Sequence, residues 1–87
     1  EYRGWLVQRD IANLGYKLED VCDCLLTLRE DDFDKTHYYE DGVPPDDSYI
    51  FHHTKQYSER KDELYIKFCL LNDFLILEIG SFHLPRY

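Results

Sequence analysis

The first third of the chain has apolar residues at helical spacing. The stretch 4–14 (GWLVQRDIANL) predicts a short amphipathic helix that ends at Gly15. Its predicted apolar contacts are Trp5, Ile11 and Ala12. A second amphipathic helix is predicted to run to about Leu28, with an apolar face built from Leu18, Val21, Cys22, Leu25 and Leu26. The acidic stretch 29–34 (REDDFD) then predicts a capped helical turn that is held to the core by Phe33.

Beyond residue 35 the apolar pattern changes to a period of two, which is typical of strands. Strands are predicted at 36–39 (THYY) and 48–54 (SYIFHHT), separated by EDGVPPDD, whose Gly and paired Pro interrupt sheet pairing. After the charged loop QYSERKDE, the stretch ELYIKFCLL alternates cleanly. One face, predicted to be core, carries Leu64, Ile66, Phe68 and Leu70, and the other carries Tyr65, Lys67, Cys69 and Leu71. Asn72-Asp73 predicts a tight two-residue turn into the returning strand FLILEI.

Two helices followed by three or four antiparallel strands predict an α+β fold with both helices on one face of the sheet. A chain of 87 residues has enough apolar surface for one core, so residues 1–87 are expected to form a single domain. No apolar run approaches the roughly 18 residues that a membrane helix needs. Three Cys, an odd number, favour reduced thiols. We therefore expect a soluble, cytoplasmic protein.

The charge is uneven along the chain. The formal net charge is −8, which repels nucleic acid at long range and weakens the counterion-release contribution to phosphate binding. Residues 1–47 carry 13 acidic and 5 basic side chains, whereas residues 48–87 carry 5 of each. The second half of the chain is therefore the better candidate for contact with a phosphate backbone.

Several common site motifs are absent from the sequence. It has no glycine-rich phosphate loop, no GxSxG, no HExxH and no CxxC pair. The neighbouring His52 and His53 point to opposite faces of a strand, so they are poorly placed to bind one metal ion together. The acidic residues between Glu30 and Asp47 lack the spacing of a calcium loop and are expected to be surface groups. We expect neither a metal nor another cofactor.

Polar side chains are predicted to gather on the exposed face of the sheet. Tyr65 and Lys67 lie on one strand and His52 on another, and Lys35 directly precedes the first predicted strand, 36–39. One interpretation is an ordinary amphipathic sheet whose outer face accepts Tyr, Lys and His. The other is a site that cleaves phosphodiesters without a metal, because a lysine, an imidazole and a phenol suffice for that chemistry.

Two motifs give the chain a resemblance to a known family. DFDKT at 32–36 follows the amphipathic stretch DVCDCLLTL, and the strand YIFHH is followed by LYIKF and the hairpin NDFLIL. This arrangement resembles the MqsR family of bacterial toxins, which are RNA-cleaving members of the RelE-like superfamily. The resemblance runs from about Trp5 to His83. It implies a RelE-like fold with an additional strand and helix upstream, and a cognate antitoxin as partner.

The resemblance also implies site residues. The family's lysine in DF-x-K falls on Lys35 and its Y-x-K tyrosine on Tyr65, while a glutamine of the middle strand falls on His52. The family's last lysine falls on His83 if the final strand carries a short insertion, and on Gly80 if it does not. Lys67 and His53 are candidate substrate contacts.

These assignments imply a toxin of a type II toxin-antitoxin system that cuts single-stranded mRNA through the ribose 2′-hydroxyl. An imidazole with an ordinary pKa near 6.5 exchanges protons at neutral pH, so His52 or His83 is the expected acid or base. The acidic composition keeps an alternative open, a non-catalytic protein-binding module that mimics nucleic acid. A second alternative is an inactive toxin homologue that binds only its antitoxin.

Overall fold

The structure is a computed structural model that describes residues 1–54, 60–73 and 76–85. Within these residues the chain forms two helices, a short 3₁₀ turn and four strands. These are α1 (Gly4–Asn13), α2 (Leu18–Thr27), the turn Glu30–Asp32, β1 (Phe33–His37), β2 (Asp46–Thr54), β3 (Lys61–Leu71) and β4 (Ile76–His83). In the described part of the chain, no helix is long and apolar enough to cross a membrane.

The strands form one antiparallel sheet in the order β1-β2-β3-β4, and both helices pack against the same face. The predicted α+β fold is thus confirmed, with four strands. Residues ahead of α1 also join the sheet, because Tyr2 makes a parallel bridge to Ile79 at the free edge of β4.

The core lies between the helices and the sheet. Leu64 and Ile66 of β3 have no exposed surface, as predicted, but the alternation is wrong at the end of the strand, where Cys69 is buried and Leu70 is 44% exposed. The helices contribute Val7 and Ile11 from α1 and Val21 and Cys24 from α2, and the other strands contribute Phe51, Ile79 and Phe82. Tyr65 and Lys67 point to the opposite side of the sheet, which we call the outer face.

The apolar faces of the helices differ from the prediction. Trp5 is 67% exposed, and Val7 takes its place in the core one turn before Ile11. The guanidinium of Arg9 lies 5.5 Å from the centre of the Trp5 ring, so the exposed indole has a cationic neighbour. In α2 the buried face runs through Cys24, whereas Leu18 and Leu26 lie mainly in solvent. Helical spacing alone does not decide which of two adjacent apolar rows faces a sheet.

The strand boundaries also differ from the prediction. β1 begins at Phe33 and ends at His37, so Tyr38 and Tyr39 lie in the following loop. β2 begins at Asp46, two residues earlier than predicted, and β3 begins at Lys61, within the predicted charged loop. Residues 55–59, which include the start of that loop, and residues 74–75 of the predicted last strand lie outside the described residues.

The turn and a bulge shape the second half of the sheet. Asn72 and Asp73 have the positive φ values expected of the predicted turn, 50° and 54°, but Leu71 pairs with Ile76, so the connection is longer than the predicted two residues. Within β4 the pairing shifts, because Lys67 faces Ser81 while Phe68 faces Ile79. Gly80 is the extra residue of this bulge, and β4 continues through it to His83.

Candidate functional site

Tyr65 is the centre of a polar cluster on the outer face. Its hydroxyl lies 3.1 Å from Nε2 of His37, and its ring stacks on His83 with ring centres 5.3 Å apart. His37 comes from β1 and His83 from β4, so this contact spans all four strands of the sheet. A phenol with an imidazole on either side offers several groups that hold or move protons.

His37 is oriented by the buried residue Ser48. Oγ of Ser48 lies 2.9 Å from Nε2 of His37, and it donates its one hydrogen towards the Lys35 carbonyl at 3.1 Å or the Asp34 carboxylate at 3.3 Å. Because both of those oxygens only accept, the consistent assignment has Nε2–H of His37 donating to Ser48. The Tyr65 hydroxyl then does not donate to His37, and its hydrogen is available to a substrate.

His83 is held in one tautomer by the backbone. Its Nδ1 lies 2.7 Å from the carbonyl oxygen of Leu84, which only accepts, so Nδ1 carries a proton. In the neutral ring the lone pair is therefore on Nε2. His83 is half-buried, and beside it lies a cavity of about 310 Å³ whose lining includes His83, Asp10 and Asn13. This geometry suits a proton acceptor.

Two lysines lie on the same face as the cluster. Lys35 is opposite Ser48 across β1 and β2, Ser48 is opposite Lys67, and Lys67 is opposite Ser81. These four paired residues form a row across the sheet that carries two cations. Tyr65 is two positions from Lys67 on the same strand, about 7 Å away. Lys35 is exposed and Lys67 is half-buried.

His52 and His53 lie apart from this cluster. His52 is on the outer face, but it pairs with Glu63, and its Nε2 lies 3.3 Å from the Glu63 carboxylate. His53 points to the helices and is 6% exposed, with its ring 5.7 Å from that of Tyr16. The structure thus gathers Lys35, Tyr65, Lys67 and His83, leaves His52 at the margin, and puts His53 in the core.

Asp46 contradicts the expectation that the acidic residues between Glu30 and Asp47 are surface groups. It is fully buried and accepts two hydrogen bonds from the Arg3 guanidinium, at 2.8 and 2.9 Å, and one from the Tyr39 hydroxyl at 2.7 Å. The bonds from Arg3 lower the pKa of Asp46 to about 2. The bond to Asp46 raises the pKa of Tyr39. This ion pair ties the segment before α1 to the start of β2.

The Arg3 side chain crosses β4 and β3 to reach Asp46 on β2. On the way its Nε donates to Glu78 at 2.6 Å, and one terminal nitrogen lies 3.4 Å from the Cys69 sulfur. A Cβ at Gly80 would lie 2.6 Å from the guanidinium of Arg3. The glycine of the bulge therefore opens the path that the arginine follows.

Three functional groups were absent from the sequence-based candidates. His37 was detectable, because it lies two residues after Lys35 and therefore on the same face of a strand. Ser48 and Arg3 had no comparable signal, because their partners are distant in sequence. Within residues 1–54, 60–73 and 76–85, no three His, Cys, Asp or Glu side chains converge on a point where a metal would bind.

Comparison with known proteins adds no relative. No model of a protein family matches the chain, and no curated protein or solved structure matches it.

Proposed function

We propose that the chain is an endoribonuclease, a RelE-like toxin that cleaves single-stranded mRNA through the 2′-hydroxyl without a metal. The observation that supports this proposal is the cluster of His37, Tyr65 and His83, with two lysines beside it. The proposed substrate is RNA rather than DNA, because the attacking group is part of the ribose. The proposed partner is a cognate antitoxin, and the proposed location is the cytoplasm.

The proposed reaction moves two protons and exchanges one bond at phosphorus. Nε2 of His83 takes the proton from the 2′-hydroxyl, whose oxygen then bonds to phosphorus as the bond from phosphorus to the 5′-oxygen breaks. Tyr65 gives its proton to the departing 5′-oxygen, and the resulting phenolate lies 3.1 Å from Nε2 of His37. Exchange with water then removes the proton from His83 and restores the one on Tyr65. The products are a 2′,3′-cyclic phosphate and a 5′-hydroxyl.

The lysines and the backbone support this reaction through charge and position. Lys35 and Lys67 would offset the negative charge that develops on the phosphoryl oxygens. His37 is held by Ser48, and His83 by the Leu84 carbonyl, so both rings are already oriented before the substrate arrives. Preorganised groups cost little reorganisation energy at the moment of reaction.

The alternative of a nucleic-acid mimic rests on the charge of −8. A mimic needs carboxylates in rows at the spacing of phosphates. Several acids of the first half instead have local partners, which weighs against mimicry. Asp20 and Asp32 accept from backbone N–H groups at helix starts, Asp46 binds Arg3, and Asp47 accepts from Thr36.

The test is cleavage of a labelled single-stranded RNA by the purified chain. We expect cleavage that EDTA does not change, a 2′,3′-cyclic phosphate on the upstream product, and no cleavage of DNA of the same sequence. A single 2′-deoxy nucleotide at the cut position should block that cut alone. Loss of activity with chelator, or no cleavage under any condition while an antitoxin still binds, would leave a binding module or an inactive homologue as the function.

A further inference from the structure

One end of the sheet carries two cavities on either side of a proline. This end, which we call the Pro44 end, consists of the loop 39–45 between β1 and β2 together with Leu70 and Leu71 at the end of β3. One cavity has a volume of about 450 Å³, with Tyr39, Val43 and Leu71 among its walls. The second is about 210 Å³ and is lined in part by Phe68 and Leu70. Pro44 lines both cavities.

The Pro44 end exposes more apolar surface than its position in the fold requires. Val43 is 47% exposed, Tyr39 45% and Leu70 44%. None of the three belongs to the core that the helices form with the sheet. Contiguous exposed apolar surface with a polar rim is typical of an interaction site.

The rim of these cavities is negatively charged. Glu40 and Asp41 lie in the loop itself, Asp47 lines the smaller cavity and Glu78 the larger one. Among the described residues that line the cavities the one cation is Arg3, which already binds the carboxylates of Glu78 and Asp46. The potential at this end therefore attracts a cationic ligand and repels RNA or an anionic membrane. A second copy of this acidic chain is disfavoured for the same reason.

We propose that the Pro44 end docks a cationic segment of a partner protein, with large apolar side chains in the two cavities and Arg or Lys side chains on the acidic rim. A segment fits better than a small cation, because a ligand that fills both cavities must pass over Pro44. This proposal does not depend on the nuclease activity, since the cavities lie at the end of the sheet away from His83.

The experiment measures binding of a fluorescent peptide that alternates leucine with arginine. Val43→Lys removes part of one cavity wall and adds a positive charge, and Leu70→Lys does the same at the other cavity. Each should weaken binding by at least about tenfold. The matched control is Leu26→Lys on α2, where an 86% exposed leucine receives the same change of charge. It should change the affinity by less than about twofold, and melting curves verify that all three variants fold.

Two control peptides separate the charge from the cavities. Replacing every arginine with glutamine, or every leucine with serine, should each reduce binding strongly. Equal weakening by Leu26→Lys, or undiminished binding of either control peptide, would overturn the proposal, because both results describe general attraction to an acidic protein. Full displacement of the peptide by spermidine would assign the site to a small cation. Binding of a labelled single-stranded RNA that Val43→Lys alters, or dimerisation that Val43→Lys abolishes, would likewise reject it.

Discussion

Tyr65 is the residue on which the proposed chemistry depends most directly. Its ring packs on His83, so its position is supported by contacts that do not involve the hydroxyl. Tyr65→Phe should therefore fold with an unchanged melting temperature. We expect the rate of RNA cleavage to fall by about 10²–10⁴-fold, the usual effect of losing one proton-transfer group. Single-turnover cleavage of a labelled RNA measures this.

The matched control for this substitution is Tyr38→Phe, because Tyr38 is 81% exposed in the loop after β1. Its hydroxyl should have no effect on the rate. A Tyr65→Phe enzyme with the full rate would remove the phenol from the proposed mechanism.

Asp46 makes the stability of the fold depend on pH. Arg3 lowers its pKa from 3.8 to about 2, so the folded state binds this proton less readily than the unfolded state. The resulting stabilisation, about 2 kcal/mol, is complete above about pH 5 and is lost as the pH falls towards 2.

Urea unfolding at several pH values tests this prediction by comparison with Asp46→Asn, which has no carboxyl to titrate at this position. The free energy of unfolding of the original chain should fall more steeply between pH 4 and 2 than that of the variant. If the free energy of unfolding depended on pH in the same way in both proteins, the assigned role of Asp46 would be wrong.

At the scale of elements, the bulge in β4 gives the Arg3 side chain its path. In Gly80→Ala the new methyl group would lie 2.6 Å from the guanidinium, which would have to move and weaken its bonds to Asp46. We expect a loss of about 1–3 kcal/mol in the free energy of unfolding. Chemical denaturation measures it.

The control is a background in which Arg3→Met and Asp46→Asn remove both charges together. Replacing both partners of a buried pair is often tolerated, unlike removal of one. There the effect of Gly80→Ala should be below about 0.5 kcal/mol, because the two sites are coupled only through Arg3. If Gly80→Ala lowered the free energy of unfolding equally in this background, the strain would lie in the backbone and not at Arg3.

The elements differ in how far local pattern predicted them. The alternation of β3 was predicted correctly at Leu64 and Ile66, which flank the amphipathic Tyr65, and wrongly at the end of the strand, where Cys69 is buried and Leu70 is exposed. The predicted turn at Asn72 and Asp73 was correct in its positive φ values, since these residue types tolerate them. The start of β2 was missed, because Asp46 reads as a loop residue unless its distant partner Arg3 is known.

At the scale of the whole molecule, the acidic surface and the proposed catalytic cluster around Tyr65 lie in different places. The two lysines lie in the row beside Tyr65, whereas the acidic rim lies at the Pro44 end. RNA binding that relies on Lys35 and Lys67 should depend only weakly on salt. For single strands the slope of log K against log salt is about −0.7 per neutralised phosphate, so we expect no steeper than about −1.4.

Fluorescence anisotropy with a non-cleavable 2′-deoxy RNA analogue at several salt concentrations measures this slope. Lys35→Ala should make it shallower by about 0.7, while Lys17→Ala, at an exposed position before α2, should leave it unchanged. A slope as steep as that of a basic nuclease would mean that other cations hold the RNA.

The sequence by itself determined the features that depend on neighbours along the chain. Helical and strand periodicity, the turn after β3 and the α+β order of elements all follow from local spacing, because side-chain direction repeats every 3.6 or 2 residues. For the same reason His52 and His53 had to point to opposite faces. The outward direction of Tyr65 and Lys67 was also determined at this level.

The tertiary structure alone decided which of these side chains meet. His37 reaches Tyr65 only because the pairing of β1 with β2 shifts between Phe33 and Lys35, and that register is set by contacts far apart in sequence. Arg3 reaches Asp46 across 43 positions of chain. Such pairings depend on how the whole sheet and its helices pack, so no local pattern encodes them.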